Sequence, residues 1–528
     1  MHVFNRNRYL PPLAVIASIS VVTGCGVFSS DASDDAAPII VGTTSTPSTL
    51  DPAAAWDSSW ELMRNVFQPL LGYSPGGSEP EPDAAENCEF TDSSSTVYSC
   101  TLREGLKFSN GHALDAKAVK YSFDRIKKIN VNGGPAGLLT TLSRVQTKGD
   151  REVVFHLSQP DATFPLVLTT PAMSIVDPAE YPADKLREGT DIVGSGPYNL
   201  ASYEDGKTAE LVRNDNYKGI ADLKNSGVTI QYFQQSDEMV KALKDKDISV
   251  IYRGLGASDI VDIQTNHDQE GLQIVENPTT EISYLVFNPK DPWTKNPAVR
   301  KAVAQVLDRP ALAHNIYKDT VEPLYSMIPR GLVGHTTGFF DDYGNPSATK
   351  AKSILAEAGI TETVPLELWY TTDRYGSQTK PAFEELKRQL EASGLFEVTL
   401  KSRPWKTYSE GYQNGEYPVF GRGWNPDFND ADNFIAPFVG EQNALGTPYK
   451  SPEITDKLLP ESRAESDRGA VSEEFEEAQQ ILVDDARLIP LWQGKAYTAA
   501  NEEIAGLENV IDPATMMTMW QLSWKTSW

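Results

Sequence analysis

The sequence contains little cysteine and little histidine. Three cysteines and six histidines occur among its 528 residues. The histidines are scattered without a His-Glu-x-x-His or similar zinc spacing. The one Gly-x-Ser-x-Gly match, Gly72–Gly76, runs into a Gly/Pro-rich stretch and does not form a strand-to-helix nucleophile elbow. This scarcity argues against a metalloenzyme and against a hydrolase with a serine or cysteine nucleophile. We therefore expect no metal ion, no cofactor and no catalytic residue.

Basic residues are few in relation to acidic ones. The sequence has 47 Lys and Arg against 73 Asp and Glu, which gives a formal net charge of −26. This balance argues against nucleic acid as a partner, because binding to phosphates requires positive charge. The hydrophobic fraction of 40% indicates a globular protein, and the length indicates two or three domains.

The sequence also lacks a long hydrophobic run. Its apolar segment Leu13–Val22 is too short to cross a bilayer of about 30 Å, and it follows Arg6 and Arg8. This order is typical of an export signal. The small residues before Cys25 resemble the lipobox of bacterial lipoproteins. An ordinary signal peptide with an incidental cysteine is the alternative.

The lipobox resemblance implies a signal peptide at residues 1–24, a lipid on the Cys25 thiol and a flexible tether at 25–37. Two acyl chains, such as palmitate, hold a protein stably at a membrane, whereas one chain is marginal. The expected location is therefore the extracytoplasmic face of the cell membrane.

The other two cysteines, Cys88 and Cys100, are twelve residues apart. In an exported protein such a pair indicates a disulfide. By loop-closure entropy this disulfide would contribute roughly 3 kcal/mol at most.

One stretch, Phe420–Phe434, combines carboxylates with large aromatic rings: Asp427, Asp430, Asp432, Trp424, Phe428 and Phe434. Surface loops are ordinarily polar, so this mixture suits a ligand with a cationic end and an apolar body. The alternative is a strand-to-helix turn, in which Asp residues occupy turn and cap positions and the aromatics are core. Aromatic residues are concentrated around it: 14 of the 70 residues in 369–438, against 9% in the whole chain.

Several motifs then follow one another in a recognisable order. They are Thr101–Arg125, Val193–Tyr198, Tyr284–Asn288, Asn296–Arg309, Ile328–Leu332, Ala351–Gly359 and Gly423–Phe434. In this order they resemble the peptide/nickel class of extracellular solute-binding proteins of ABC importers, the dipeptide- and oligopeptide-binding family. The first motif departs from the family pattern at Lys117-Ala118-Val119, where an acidic residue before the valine is usual.

The resemblance implies an α/β protein with the two-lobed, Venus-flytrap fold of periplasmic binding proteins. It divides the chain into a discontinuous lobe I domain (38–75, 190–287 and 495–528), an extra domain of lobe I (76–189) and lobe II (288–494). The ligand is expected between the lobes. The hinge is expected near Asn288 and Gln493.

The resemblance also implies which residues bind the ligand. In the family, an Asp at the position of Asp427 pairs with the α-ammonium of a bound peptide. A carboxylate and an ammonium sealed from water make a strong charge-assisted bond. The further candidates are Trp424, Asn425, Phe428, Trp405, Thr44 and Ser45. Arg403 and Arg422 are candidates for the ligand carboxylate, because guanidinium groups pair with carboxylates in a forked geometry.

The sequence therefore predicts a monomeric, lipid-anchored substrate-binding protein of an ABC importer. It would capture peptides and deliver them to the permease and ATPase subunits. The alternative ligands in such a fold are an oligosaccharide, a nickel chelate, a siderophore or glutathione. A signalling receptor is a further alternative, and a secreted hydrolase would require a catalytic constellation that the sequence does not present.

Overall fold

A computed structural model describes residues 37–56 and 58–525. The predicted signal peptide, the predicted lipid-attachment residue Cys25 and the predicted tether up to residue 36 lie outside the described residues. In chain order, the strands are β1 Ile39–Thr43, β2 Leu71–Gly72, β3 Glu81–Pro82, β4 Ala85–Phe90, β5 Val97–Leu102, β6 Leu142–Lys148, β7 Glu152–Leu157, β8 Tyr198–Glu204, β9 Thr208–Arg213, β10 Gly227–Tyr232, β11 Val250–Tyr252, β12 Leu272–Asn277, β13 Ile282–Phe287, β14 Glu322–Pro323, β15 Val364–Thr371, β16 Phe396–Arg403, β17 Val419–Trp424, β18 Leu488–Gln493, β19 Ala496–Asn501, β20 Ile504–Ala505 and β21 Ser523–Trp524.

The α-helices connect and cover these strands. They are α1 Ser59–Val66, α2 Ala116–Ile129, α3 Phe164–Val167, α4 Ser236–Lys244, α5 Ala257–Glu270, α6 Pro297–Val306, α7 Arg309–Asn315, α8 Gly338–Tyr343, α9 Ala348–Glu357, α10 Thr379–Ala392, α11 Trp405–Gln413, α12 Leu459–Ala464 and α13 Ser472–Asp485.

Two mixed sheets organise the chain. The lobe I sheet has seven strands in the order β12-β19-β11-β1-β10-β9-β8, with β1 parallel to both β10 and β11. The lobe II sheet has six strands in the order β14-β18-β13-β17-β15-β16, with β15 parallel to β16 and β17. Helices alternate with the strands along both, which confirms the predicted α/β class.

A third sheet, β4-β5-β7-β6, is entirely antiparallel and lies within the segment predicted to be the extra domain. Cys88 and Cys100 stand directly opposite each other on β4 and β5 and form a disulfide. This sheet shares one continuous apolar cluster with the lobe I sheet, here called the lobe I core.

The helix starts follow from local sequence. Asp115 precedes α2, and its Oδ1 accepts hydrogen bonds from the backbone N–H groups of Lys117 and Ala118, both at 3.0 Å. Asn296 precedes α6, with Oδ1 accepting from Ala298 N at 2.9 Å and Pro297 in the first helical turn. These side chains satisfy donors that a helix N-terminus leaves unpaired.

The lobe II sheet buries both of its faces. Along β13, Ile282, Tyr284 and Val286 belong to one apolar cluster, whereas Leu285 and Phe287 belong to the other. This alternation is the two-residue period of a strand. The helices α6, α10 and α13 cover the sheet, so β13 is buried on both sides.

The chain passes between the two large sheets at two connections. One is residues 278–281, between β12 and β13, and the other is Gly494-Lys495, between β18 and β19. They are joined to each other, because Gly494 N donates to Glu281 O at 2.9 Å.

The first connection lies before the position expected from the resemblance. Strand β13, placed in lobe I by the boundary at residue 287, pairs with β17 and β18 of the lobe II sheet. Asn288 is at the far end of β13, where its Nδ2 donates to Gly415 O at 2.8 Å. An apolar strand pattern does not reveal which sheet the strand joins, and for this reason the sequence placed the connection too late.

Candidate ligand-binding site

The two connections define the edges at which the sheets face each other. On lobe II this edge consists of the start of β13 and the ends of β15, β17 and β18. On lobe I it consists of the ends of β1, β11 and β12 and the start of β19. We call these the lobe II edge and the lobe I edge. Most of the residues singled out in the sequence lie on the two edges.

Asp427 lies in the loop that follows β17 on the lobe II edge. Its backbone N–H donates to Asn433 Oδ1 at 2.8 Å, and Asn433 Nδ2 donates to Asp427 Oδ2 at 3.1 Å. Trp424 Nε1 donates to the same Asn433 Oδ1 at 3.2 Å. Asn433 therefore fixes the orientation of both the carboxylate and the neighbouring indole, and Asp427 remains 7% exposed.

The other two carboxylates of this loop form ion pairs within lobe II. Asp430 receives Nε and Nη2 of Arg468, both at 2.8 Å, and Asp432 receives Nε and Nη2 of Arg463 at 2.7 and 2.9 Å. Asp430 also caps the following turn by accepting from Asp432 N at 2.8 Å. The turn-and-cap interpretation therefore holds for Asp430, and the loop is much less negative than its sequence suggests.

The aromatic candidates Trp424 and Phe428 belong to the cores of different lobes. Trp424 packs edge-on against Phe438, with ring centroids 5.0 Å apart, and belongs to the lobe II core. Phe428 is 4% exposed and belongs to the lobe I core, so the Asp427 loop reaches across to the other lobe. Asn425, which lies between Trp424 and Phe428 in the chain, is half-buried.

Trp405, at the start of α11, is the aromatic candidate that keeps an accessible face. It is half-buried, and the guanidinium of Arg374 lies 5.0 Å from its ring centroid. Tyr375 meets the same ring edge-on at 5.9 Å. Arg374 and Tyr375 lie in the loop after β15, so the lobe II edge combines aromatic rings with arginine side chains.

Arg403 and Arg422 occupy different environments. Arg403 ends the outermost strand β16, pairs with Glu416 at 3.0 Å and lies over the ring of Trp369. Arg422 is buried within β17, where its guanidinium is 4.7 Å from the Tyr412 ring centroid and donates to Ala444 O.

Arg422 also lines a cavity in lobe II, beside the edge. The cavity lies against α10, and most of its wall is apolar. Among its lining residues are Tyr370, Tyr375, Phe383, Leu386, Arg422 and Trp492. With a volume of about 20 Å³, the cavity has room for about one water molecule.

On lobe I, Thr44 and Ser45 follow β1 as the sequence indicates. A Cβ atom on Gly254 would lie 2.5 Å from Thr44 Oγ1, and Gly254 has φ +87°, so only glycine fits this turn. Ser45 N donates to Thr43 Oγ1 at 3.2 Å. Thr44 is thus packed against the end of β11.

Sequence analysis missed a buried carboxylate at this edge. Glu61 of α1 accepts from Thr43 Oγ1 at 3.3 Å, and its Oε1 is 2.9 Å from Nε of Arg253. Burial raises the pKa of Glu61 to about 7, although Arg253, Ser45, Thr43 and Arg374 oppose the rise. A charged residue among the apolar positions of α1 was the available signal.

Four titratable side chains from both lobes influence one another electrostatically near the connections. Arg253 on lobe I and Arg374 on lobe II both lower the pKa of Glu61 and of Glu281, and Glu281 lies in the first connection. Burial is nevertheless the larger influence and raises the pKa of Glu281. Glu61, Arg253, Glu281 and Arg374 thus form an electrostatically coupled group, in which burial favours the neutral form of both carboxyl groups.

Within the described residues, no group of His, Cys, Asp and Glu side chains is arranged to hold a metal ion. Across the same part of the chain, no helix has the length and apolarity needed to cross a membrane.

The architecture and the facing edges define a two-lobed binding protein, and comparison with known proteins identifies its family. Residues 79–446 match the model of the family described as bacterial extracellular solute-binding proteins, family 5 Middle. The chain belongs to this family, which consists of solute-binding proteins and not of enzymes. The resemblance stated from the motifs is thereby confirmed.

Individual relatives are distant but similar over nearly their whole length. The probable D,D-dipeptide-binding periplasmic protein DdpA of Escherichia coli (strain K12) is 27% identical over 90% of this chain and 94% of its own. The oligopeptide-binding protein OppA of Bacillus subtilis (strain 168) is 24% identical over 89% of each chain.

Among solved structures, the periplasmic binding protein DppA of Helicobacter pylori in complex with the peptide STSA is similar. Its TM-score is 0.80 at 20% identity, over 93% of this chain and 98% of that one. This similarity confirms the predicted two-lobed fold.

Proposed function

We propose that this protein is the lipid-anchored substrate-binding protein of an ABC importer, and that it captures peptides between its two lobes. The single observation that carries the proposal is Asp427, a carboxylate oriented by Asn433 on the lobe II edge. The peptide-binding relatives support peptide as the ligand class.

The ligand's α-ammonium would pair with Asp427, and Trp424 and Trp405 would flank the chain of the peptide. A cation sealed between a carboxylate and aromatic faces is stabilised by both. Thr44 and Ser45 would border the ligand from lobe I, since they follow β1 at the facing edge.

Closure would be a hinge motion about residues 278–281 and Gly494-Lys495. The two connections are short and hydrogen-bonded to each other, so they would bend together. The ligand would shift an existing equilibrium between open and closed forms by binding both lobes at once. The closed form would then dock on the membrane permease of the importer, which works together with its ATPase subunits.

The first experiment is native mass spectrometry of the protein expressed from residue 26 and purified gently. Co-purified masses that differ by amino-acid residues would support a peptide ligand and give its length range. A single mass with the composition of a sugar, a chelate or a siderophore would overturn it.

Replacing the anchor should remove most of the affinity. For Asp427→Ala we expect the dissociation constant of a bound peptide to rise about a hundredfold or more, because the ammonium would be left without its counter-charge. Isothermal titration calorimetry measures the effect. Asp342→Asn, exposed on α8 of the same lobe, is the matched control and should bind as the unmodified protein does. Near-normal binding by Asp427→Ala would refute the anchor.

Anchoring by lipid is tested separately from binding. In cells, Cys25→Ser should move the protein from the membrane fraction to the soluble fraction, because no acyl chain can then be attached. Peptide binding should be unchanged, since the tether is not part of the site. A Cys25→Ser protein that stays with the membrane would contradict the proposed anchor.

A further inference from the structure

The two lobes also meet at a place that belongs neither to the connections nor to the candidate ligand-binding residues. The backbone N–H of Ala162 donates to the carbonyl oxygen of Arg463 at 2.8 Å. Ala162 lies between β7 and α3, in the segment predicted to be the extra domain of lobe I, and Arg463 lies in α12 of lobe II. The two residues touch without a covalent link, so this contact can be lost when the lobes separate.

The acceptor in this contact is at the end of a helix. Helix α12 ends at Ala464, one residue after Arg463. The last four carbonyl groups of an α-helix have no hydrogen-bond partner within the helix. Arg463 O therefore takes its hydrogen bond from the other lobe. Ala162 is only 6% exposed in this arrangement, so its N–H group depends on the same contact.

The turn at residues 161–163 is held in place within its own lobe. The Asp161 carboxylate accepts from Thr163 N at 3.1 Å, from Thr163 Oγ1 at 2.6 Å and from Thr141 Oγ1 at 2.6 Å. The backbone N–H of Asp161 donates to Ser95 O at 3.1 Å. Because these bonds fix the turn on the rest of lobe I, it loses little conformational entropy when it meets lobe II.

Asp161 also brings a negative charge toward lobe II. Asp432, which accepts two hydrogen bonds from Arg463, is the main reason that the pKa of Arg463 is raised. Asp161 adds to that rise. Burial opposes the raised pKa of Arg468, and nearby carboxylates, among them Asp430 and Asp161, outweigh it. Two arginines of lobe II are therefore attracted to a carboxylate of lobe I as well as to those of their own lobe.

Arg463 also connects this contact with the proposed site. Its ion-pair partner Asp432 precedes Asn433, whose side chain orients Asp427. Phe428, in the same loop, packs into the lobe I core. The loop that carries Asp427 is thus held against lobe I by an apolar contact and, through Arg463, by a polar one.

We propose that the 161–163 turn of the extra domain stabilises the closed form, in which the lobes touch, by binding Arg463 of lobe II. One hydrogen bond and one charge interaction are weak enough to break and re-form, so the turn shifts the equilibrium between open and closed forms without locking it. Where the closed form is the one that binds, the apparent affinity rises with its population. This effect on peptide affinity rests on the proposed peptide-binding function, whereas the effect on the lobes does not.

The test measures how often the lobes are in contact. A donor and an acceptor dye are attached at Glu210→Cys on β9 and Lys352→Cys on α9, which are exposed positions on the two lobes. In the protein expressed from residue 26, Cys88 and Cys100 are joined and take up no dye. Single-molecule energy transfer then gives the ratio of closed to open molecules. Without peptide, Asp161→Asn should lower this ratio about fivefold, because the carboxylate that attracts the arginines of lobe II is lost.

Asp150→Asn is the matched control, since it removes the same charge from a position of the same segment whose side chain is 79% exposed. It should keep the ratio of the unmodified protein. Arg463→Gln removes the cation on the other lobe, serves if Asp161→Asn does not fold, and should lower the ratio as well. In the double variant the two effects should amount to less than their product, because each change removes the same interaction. An unchanged ratio in either single variant, a lowered ratio in the control, or a full product in the double variant overturns the inference.

The same measurement with peptide separates this inference from the proposed function. The probe is an equimolar mixture of di-, tri-, tetra- and penta-alanine. It should raise the ratio of closed to open molecules in the unmodified protein and in Asp161→Asn, and the variant should need up to about fivefold more peptide. If the mixture changes the ratio in neither protein, the proposed peptide ligand is overturned, and the comparison without peptide still decides the role of the turn. A ratio that responds to peptide but not to Asp161→Asn would overturn the role of the turn alone.

Discussion

The two facing edges, which are proposed to border the ligand together, differ in their chemistry. The lobe I edge is charged, because Glu61 and Arg253 lie at the ends of α1 and β11 and are paired with each other. The lobe II edge is aromatic, with Trp405 and Trp424 around Asp427. The acidic and aromatic loop on lobe II was the most conspicuous stretch in the sequence, but charged side chains also lie on the lobe I edge.

The net charge of a folded site can differ from the charge counted in its stretch of sequence. Two of the three acidic residues after β17 are neutralised by arginines 31 and 38 positions further along the chain, Arg463 and Arg468. On lobe I, by contrast, a single glutamate inside an apolar helix contributes to the site. A polar group is available to a ligand when its own neighbours leave part of it unsatisfied.

The largest effect on stability is expected at the ion pair between Asp430 and Arg468, which holds the lobe II loop in place. Asp430→Asn keeps the capping oxygen but removes the charge that pairs with the partly buried Arg468, so the free energy of unfolding should fall by about 3 kcal/mol. Urea denaturation measures it. Peptide affinity at 25 °C should stay near normal, in contrast to the Asp427 variant. Unchanged stability would contradict this role of the ion pair, and lost affinity would show that Asp430 belongs to the site.

The lobe I edge should respond to pH. The folded-state pKa of Glu61, about 7, is above its usual value of 4.5, so the folded protein binds more protons between these pH values. The stabilising contribution is complete below pH 4.5 and is lost as pH rises to about 7, by about 3 kcal/mol for this nearly buried group. In Glu61→Gln this part of the pH dependence should be absent.

The measurement is urea denaturation at pH 5 and pH 8, with Glu86→Gln as a control at an exposed position on β4. The control should follow the unmodified protein at both values. A Glu61→Gln protein with the same loss of stability between pH 5 and pH 8 would show that Glu61 is not the group responsible.

The smallest effect is expected at the exposed aromatic of lobe II. Trp405→Ala removes a ring that is proposed to flank the ligand, and we expect peptide affinity to fall about fivefold, in line with a cation–π contact of about 1 kcal/mol. The melting temperature should change little, because Trp405 is half-buried. Phe340→Ala, at an exposed aromatic on α8, is the control. An unchanged affinity would leave the lobe II edge with Asp427 as its main contact.

Several features followed from the sequence because their causes are local. Asp115 and Asn296 begin helices as expected, since a capping side chain acts on backbone groups two or three residues away. The pairing of Cys88 with Cys100 required only a short loop. The position of the first connection did not follow, because β13 joins its sheet through partners more than a hundred residues away.

By itself, the sequence determined the α/β class, the family and the candidate carboxylate Asp427, because these depend on residue order and on short motifs. Only the tertiary structure decided that Asp430 and Asp432 form ion pairs within lobe II. The same is true of the packing of Phe428 into the lobe I core and of the pairing of Glu61 with Arg253 at one edge. The physical reason is that charge, burial and hydrogen-bond satisfaction depend on neighbours in space, which residues distant in the sequence supply.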